Sequence, residues 1–183
     1  MKIVNLSMDN FSRLLMPCKA CIYWEYPQHF NEDDTSLKII LKLNWFKNMW
    51  KKYGVCSKIL LEGDKCIGYI EFAPPMFFKT LGEYDGKWTN ILRKDIVYIS
   101  CLYIDVNHRG RGYGSLLLNE TIKYLGKLGV KEIYTYARTD NPNNPSGPLS
   151  FWIKNGFKVT DTSIENYPLV KRILSFRPLF YFS

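Results

Sequence analysis

The chain has 183 residues, 46% apolar and 16% aromatic, with 25 Lys and Arg against 17 Asp and Glu for a net charge of +8. That length suits one packed domain, residues 1–183, and the composition excludes a disordered polymer; no run of roughly 18 apolar residues offers a membrane span. The positive charge suits a polyanionic ligand, but the basic residues are dispersed and form no DNA- or RNA-binding motif, so nucleic acid is not an expected partner.

Lys2 to Leu6 alternates enough for a first strand, and Asp9 or Asn10 offers a cap for a brief helix through Leu15 that Pro17 stops. Pro17 to Asn31 is irregular and aromatic, and it contains Cys18-Lys19-Ala20-Cys21. Such a pair can hold zinc or cycle between thiol and disulfide. Zinc wants four ligands, however, no second pair exists, and His29 and His108 are the only histidines, so no metal is assigned. Five cysteines, an odd number, with no secretory apolar core in Met1 to Asp9, argue for reduced thiols and a cytoplasmic protein. Cys56, Cys66 and Cys101 sit in strand-like apolar settings and read as core filler.

Asp33 to Ser36 offers caps for a helix in which Leu37, Leu41, Trp45 and Met49 recur every four residues, with Lys38, Lys42, Lys47 and Lys51 alongside; Gly54 ends it. Strands Lys58 to Glu62 and Lys65 to Ala73 follow, joined by Gly63-Asp64, a tight-turn pair, and Pro74-Pro75 terminates the second. Met76 to Lys94, with Phe77, Phe78, Tyr84 and Trp88, either shapes a pocket or covers the sheet. Ile96 to Ile104 is a long β-favouring run. A helix then carries Leu117, Leu118, Tyr124, Leu125 and Leu128 as its buried stripe and ends near Gly129. Strand Glu132 to Ala137, a turn-rich loop from Asp140 to Pro148, a helix from Leu149 to Asn155, and strands Phe157 to Thr162 and Leu169 to Phe176 complete the chain. Alternating strands and helices with one hairpin predict an α/β fold around a mixed sheet.

Between the long strand and its helix lies Arg109-Gly110-Arg111-Gly112-Tyr113-Gly114-Ser115. The first amides of a helix lack intrahelical partners and point along the positive end of its dipole, so an anion can sit there. Glycines at 110, 112 and 114 remove side chains that would keep a phosphate off the backbone and allow positive φ, while Arg109 and Arg111 add charge at the rim. A nucleoside-triphosphate loop fails, because no Lys-Ser/Thr pair follows Gly114. A dinucleotide fingerprint fails too, because its third glycine is missing and the next strand ends without an acid.

The spacing does fit Arg/Gln-x-x-Gly-x-Gly/Ala, and in this it resembles the acyl-CoA motif of the GNAT N-acetyltransferase superfamily. Phe151-Trp152-Ile153-Lys154-Asn155-Gly156-Phe157 resembles that superfamily's aromatic-Tyr-x-x-x-Gly-Phe helix end, and Cys18 to Glu25 resembles an N-terminal segment of an uncharacterised bacterial subgroup. The resemblance implies a single GNAT-like domain with a splayed central strand in a mixed sheet flanked by helices, acetyl-CoA as cosubstrate and a primary amine as acceptor. It implies that the backbone of Leu102, Tyr103 and Ile104 pairs with the pantetheine arm. It also implies that the run Gly110, Arg111, Gly112, Tyr113, Gly114 and Ser115 holds the pyrophosphate with Arg109; the family's usual asparagine falls at Pro145, with Asn143 and Asn144 close by and Asn144 the cofactor-binding candidate.

Acyl transfer needs a neutral amine, a donor for the oxyanion and a proton for the departing thiolate. The family's frequent proton-donating tyrosine falls at Trp152, whose indole does not release a proton near neutral pH. Tyr103 and Tyr136 are the replacement donors, and Glu71 is the candidate base. Two other readings stay open: a CoA-binding module without catalysis, and a thiol or metal sensor using Cys18 and Cys21. The bland reading of that pair is packing, with Trp24 beneath the acceptor cleft. The acceptor and the choice between monomer and homodimer are undetermined; the apolar ending Phe176 to Phe182 packs on its own domain or on a partner.

Overall fold

The computed structural model describes residues 1–84, 93, 95–141 and 147–174. Its strands are β1 Lys2–Asn5, β2 Ser57–Glu62, β3 Lys65–Ala73, β4 Ile96–Ile104, β5 Glu132–Tyr136, β6 Lys158–Asp161 and β7 Leu169–Ile173. The helices are α1 Thr35–Tyr53, α2 Leu81–Tyr84, α3 Tyr113–Lys127 and α4 Leu149–Lys154. All seven strands join one sheet in the order β1-β2-β3-β4-β5-β7-β6.

The sheet is mixed because its connections differ in length. Gly63-Asp64 folds β2 back on β3 as a hairpin, with Gly63 at φ +57°, whereas β4 reaches β5 only through α3 and therefore lies parallel to it. Two irregularities in β4 set up the site. Opposite β3, Glu71 pairs with Cys101 but Phe72 pairs with Ile99, which leaves Ser100 as the extra residue of a bulge. Towards β5, pairing runs only from Ile96 to Tyr98 opposite Glu132 to Tyr134, so the strands part after Tyr98 and the central strand splays.

Two apolar clusters cover the two faces. Trp45, Phe46 and Met49 of α1 pack with Trp24, Tyr69, Phe78, Tyr98 and Tyr136 on one face. On the other, Leu117, Leu118 and Leu125 of α3 pack with Ile67, Ile70, Ile99, Ile133 and Trp152. Cys56 and Cys66 are buried in the first cluster, and Cys101 packs against it from a partly buried position.

Several expected elements shift. The helix expected through Leu15 is a single 3-10 turn, Phe11–Arg13, because Asn10 makes no side-chain cap to it. Leu128 is 58% exposed instead of buried, since α3 closes at Lys127 and Thr121 takes the place in the stripe where its hydroxyl donates to Leu117 O at 2.9 Å. On α1 the buried face is Lys42, Trp45, Phe46 and Met49, so Lys42, read as flanking, lies inside and Leu37 and Leu41 lie at its margin. Trp88, Asn144 and the ending Phe176 to Phe182 fall outside the described residues.

Candidate functional site

The glycine run forms the floor of a cavity of about 350 Å³, lined on β4 by Leu102, Tyr103 and Ile104, at the turn by His108, Arg109, Gly110, Gly112, Tyr113, Gly114 and Ser115, and across from them by Gly147, Pro148, Phe151 and Lys154. Local chemistry explains the floor. Gly110 and Gly112 adopt φ of +74° and +81°, which L side chains rarely hold, and a Cβ built at either meets nothing within 4 Å. Space is therefore kept open over the turn. Gly112 is the N-cap of α3 and provides no side-chain cap, so the amides of Tyr113, Gly114 and Ser115 are left for a ligand. Gly114 is required differently: a Cβ there would stand 3.2 Å from the Phe151 ring.

β4 supplies the long wall. Past Tyr98 its edge has no β5 partner, so backbone groups from Ile99 to Ile104 on that side face the opening. Arg109 braces the end of this wall, with Nε donating to Ile104 O at 3.0 Å and the guanidinium 5.3 Å from the Tyr103 ring centroid. Arg109 thus shapes the cavity as well as charging it. Arg111 is exposed and does not line it.

Five lining positions, His108, Gly147, Pro148, Phe151 and Lys154, were not read from the sequence as ligand contacts. His108 is fixed by Asp105, Nδ1 to Oδ1 2.9 Å, and by Glu62, Nε2 to Oε2 3.3 Å. Its adjacency to Arg109 was the available signal. Phe151 and Lys154 stand three apart on α4 and so share a face, a spacing visible in the sequence. Gly147 and Pro148 arrive through tertiary pairing: Arg138 N donates to Gly147 O at 3.0 Å and Leu149 N to Arg138 O at 2.9 Å, which sets these two residues beside the cavity.

Trp152, at the position of the expected tyrosine, does not line this space. It is 1% exposed, and its ring packs edge-on to Phe151 and Phe157 at 5.2 and 4.9 Å. Of the two replacement donors, Tyr103 lines the cavity, whereas Tyr136 is buried at the parting of β4 and β5.

Glu71 sits in a closed ionic cluster. Lys42 Nζ lies 2.5 Å from Glu25 Oε1 and 2.6 Å from Glu71 Oε2, all three side chains being at most 4% exposed. Tyr69 also donates to Glu71 Oε2, and Ser100 donates to Oε1 at 2.8 Å. Burial alone would raise the Glu71 carboxyl, but the Lys42 charge and hydrogen bonds from Glu25, Lys42 and Tyr69 outweigh it and hold the group below its ordinary value. Burial, then the Glu71 charge, pushes Glu25 well up, and Glu25 Oε2 has no hydrogen-bond partner among the described residues. A proton on Glu25 reconciles these facts, leaving one carboxylate for one ammonium. A carboxylate so engaged and so weakly basic does not support the base role expected of Glu71.

Cys21, beside this cluster, is a thiol pushed up to about 12, chiefly by burial. All five cysteines are free, and no group of three or more His, Cys, Asp and Glu side chains among the described residues is arranged to hold a metal.

A family model described as the acetyltransferase (GNAT) family matches residues 18–157. An uncharacterised N-acetyltransferase of Methanocaldococcus jannaschii is 29% identical over 90 residues, 49% of this chain but only 38% of that protein's length. Among crystal structures, PaiA N-acetyltransferase from Thermoplasma acidophilum in complex with coenzyme A superposes with a TM-score of 0.63 at 20% identity, covering 94% of this chain and 98% of the other. Ribosomal-protein-alanine N-acetyltransferase from Brucella melitensis gives 0.61 at 15% identity, with 95% and 100% covered. Likeness at these identities is likeness of fold.

Proposed function

This chain belongs to the GNAT acetyltransferase family, and on that premise we propose that it transfers an acetyl group from acetyl-CoA to a primary amine by direct attack in a ternary complex. The observation that carries this reading is the single cavity in which an uncapped helix N-terminus and an unpaired strand edge form adjoining walls. The amides of Gly112 to Ser115 suit a pyrophosphate, and the β4 edge from Leu102 to Ile104 suits the amide-bearing pantetheine arm. The coenzyme A in the Thermoplasma acidophilum relative supports the same ligand class.

In this proposal Tyr103 protonates the departing thiolate, because it lines the cavity, and solvent takes the amine proton, because the Glu71 oxygens are engaged. The amine attacks the thioester carbonyl as the C–S bond breaks; the thiolate gains a proton and the new ammonium loses one, with no acyl-enzyme. The five free thiols fit a reducing compartment, and a cytoplasmic setting belongs to the same proposal.

The burial of Trp152 favours a second reading, a CoA-binding domain without catalysis. Following CoA release across a panel of primary amines separates the two. Amine-dependent release that falls roughly 100-fold or more in Tyr103→Phe supports transfer with Tyr103 as the acid, the usual scale for proton-transfer catalysis. Tight acetyl-CoA binding with no release on any amine supports the second reading.

A further inference from the structure

The parting of β4 and β5 has two faces, and the cavity occupies the one covered by α3 and α4. On the acetyl-transfer reading a thioester lying along β4 would have its own cofactor on that face, which leaves the α1 face, filled by aromatic rings, for the acceptor.

Tyr136 stands where the strands part, its amide receiving the Tyr98 hydroxyl as acceptor at 3.4 Å. Tyr84, the last residue of α2, stacks on Tyr136 with centroids 4.7 Å apart and planes 26° apart, and Trp24 stacks on Tyr84 at 5.7 Å and 26°. The Tyr84 hydroxyl lies 3.1 Å from that of Tyr23. Two segments that neither sheet nor long helix organises are thereby locked together, since Thr80 N also donates to Trp24 O at 3.3 Å and the Thr80 hydroxyl donates to Tyr23 O. Among the described residues, the charges bordering the stack are paired: Arg138 with Asp140 at 2.6 Å, and Lys42 with Glu25 and Glu71.

Resting on the acetyl-transfer reading, we propose that Tyr84 determines acceptor specificity by filling the α1 side of the parting with its ring, so that the site takes a short alkylamine with no second charge. A bulky acceptor would have to displace a ring held on Tyr136, Trp24 and Tyr23. A second charge would be desolvated beside groups whose own charges are satisfied. Tyr84 lies in the connection between β3 and β4, so it sets acceptor size without touching the cofactor walls.

The test compares ethylamine with 2-phenylethylamine in the full chain, the Tyr84→Ala and Tyr84→Leu variants, which shorten the ring by different amounts, and Tyr84→Phe, which keeps it. With acetyl-CoA saturating, the unmodified protein should favour ethylamine in kcat/KM by roughly tenfold or more, the scale on which pocket size discriminates apolar groups. Tyr84→Ala should erase that preference, Tyr84→Leu should reduce it, and Tyr84→Phe should preserve it, all with unchanged acetyl-CoA affinity as evidence of a retained fold. Equal or better use of 2-phenylethylamine by the unmodified protein overturns the proposal, as does a preference that survives loss of the ring. Acetyl-CoA binding with no turnover of either amine in any of the four proteins also overturns it, and if no amine of the wider panel is turned over either, the acetyl-transfer reading falls with it.

Discussion

The N-termini of α1 and α3 carry the same kind of unpaired amides and are finished in opposite ways. At α1, Asp34 accepts from Ser36 N at 2.8 Å and Leu37 N at 3.0 Å, closing the helix end with its own side chain. At α3, Gly112 offers no side chain and the amides open on a cavity. The same contrast extends to the faces these helices cover. The α1 face is satisfied from within by Glu25, Lys42, Glu71 and stacked rings, while the α3 face leaves donors and a strand edge unspent. A helix closed by its own side chain has little left to offer a ligand, whereas one left open keeps its first amides available, which is what the proposed pyrophosphate site requires.

The largest effect should come from breaking the closed face. Lys42→Met leaves the Glu71 carboxylate buried beside Glu25 without a cation and should cost about 3–5 kcal/mol in urea denaturation, the scale for removing one partner of a buried pair. Replacing Glu25, Lys42 and Glu71 together with apolar residues should cost less than Lys42→Met alone, because no charge is then stranded. A triple variant less stable than the single one would show that the cluster stabilises this face beyond neutralising itself.

The open face should respond in binding more than in stability. Gly112→Val must hold a β-branched residue at φ +81° and places its side chain over the α3 amides. Acetyl-CoA affinity should fall at least tenfold, about 1.4 kcal/mol. Gly54 ends α1 at φ +76°, so Gly54→Val imposes comparable backbone strain away from the cavity and should leave acetyl-CoA affinity unchanged. Equal affinity in both variants would remove the pyrophosphate assignment.

The smallest effect is a pH dependence of opposite sign within one cluster. Glu71 is held below its ordinary value, so its stabilising contribution is present above the unfolded carboxylate range and is lost as pH falls through its depressed folded value. Glu25 is raised, so its contribution is present below the unfolded range and is lost as pH rises through its raised folded value. Denaturation between acid and neutral pH should therefore show Glu71→Gln flattening the acid limb and Glu25→Gln flattening the loss on the alkaline side. Identical pH slopes in the two variants would contradict the protonated assignment of Glu25.

The open face was largely legible in the sequence because its chemistry is contiguous. β4 ends where the β-favouring run ends, and the turn and helix start follow within a few residues, so the glycines could be named from local chemistry, while Leu102 to Ile104 came from the resemblance to the GNAT superfamily. The hairpin was equally local, with Gly63-Asp64 marking it. The closed face was not legible. Lys42 belongs to a row of lysines that reads as solvated, and only the approach of Glu25 from the irregular N-terminal segment and Glu71 from β3 makes its burial tolerable. Tyr84 and Tyr136 are 52 residues apart and reveal nothing of each other by spacing. Trp152 occupies a motif position whose usual role predicts a cavity-facing side chain, and packing against Phe151 and Phe157 turns it inward.

What the sequence determined by itself, then, is the cradle: helix periodicity, turn glycines and strand propensity act over a few residues, and a phosphate-sized anion needs little more than a helix end with nothing over it. What the tertiary structure decided is which groups are charged, which rings block the approach and which side chains meet the cavity. Those depend on dielectric and on contacts between segments far apart in the chain, and a linear pattern encodes neither.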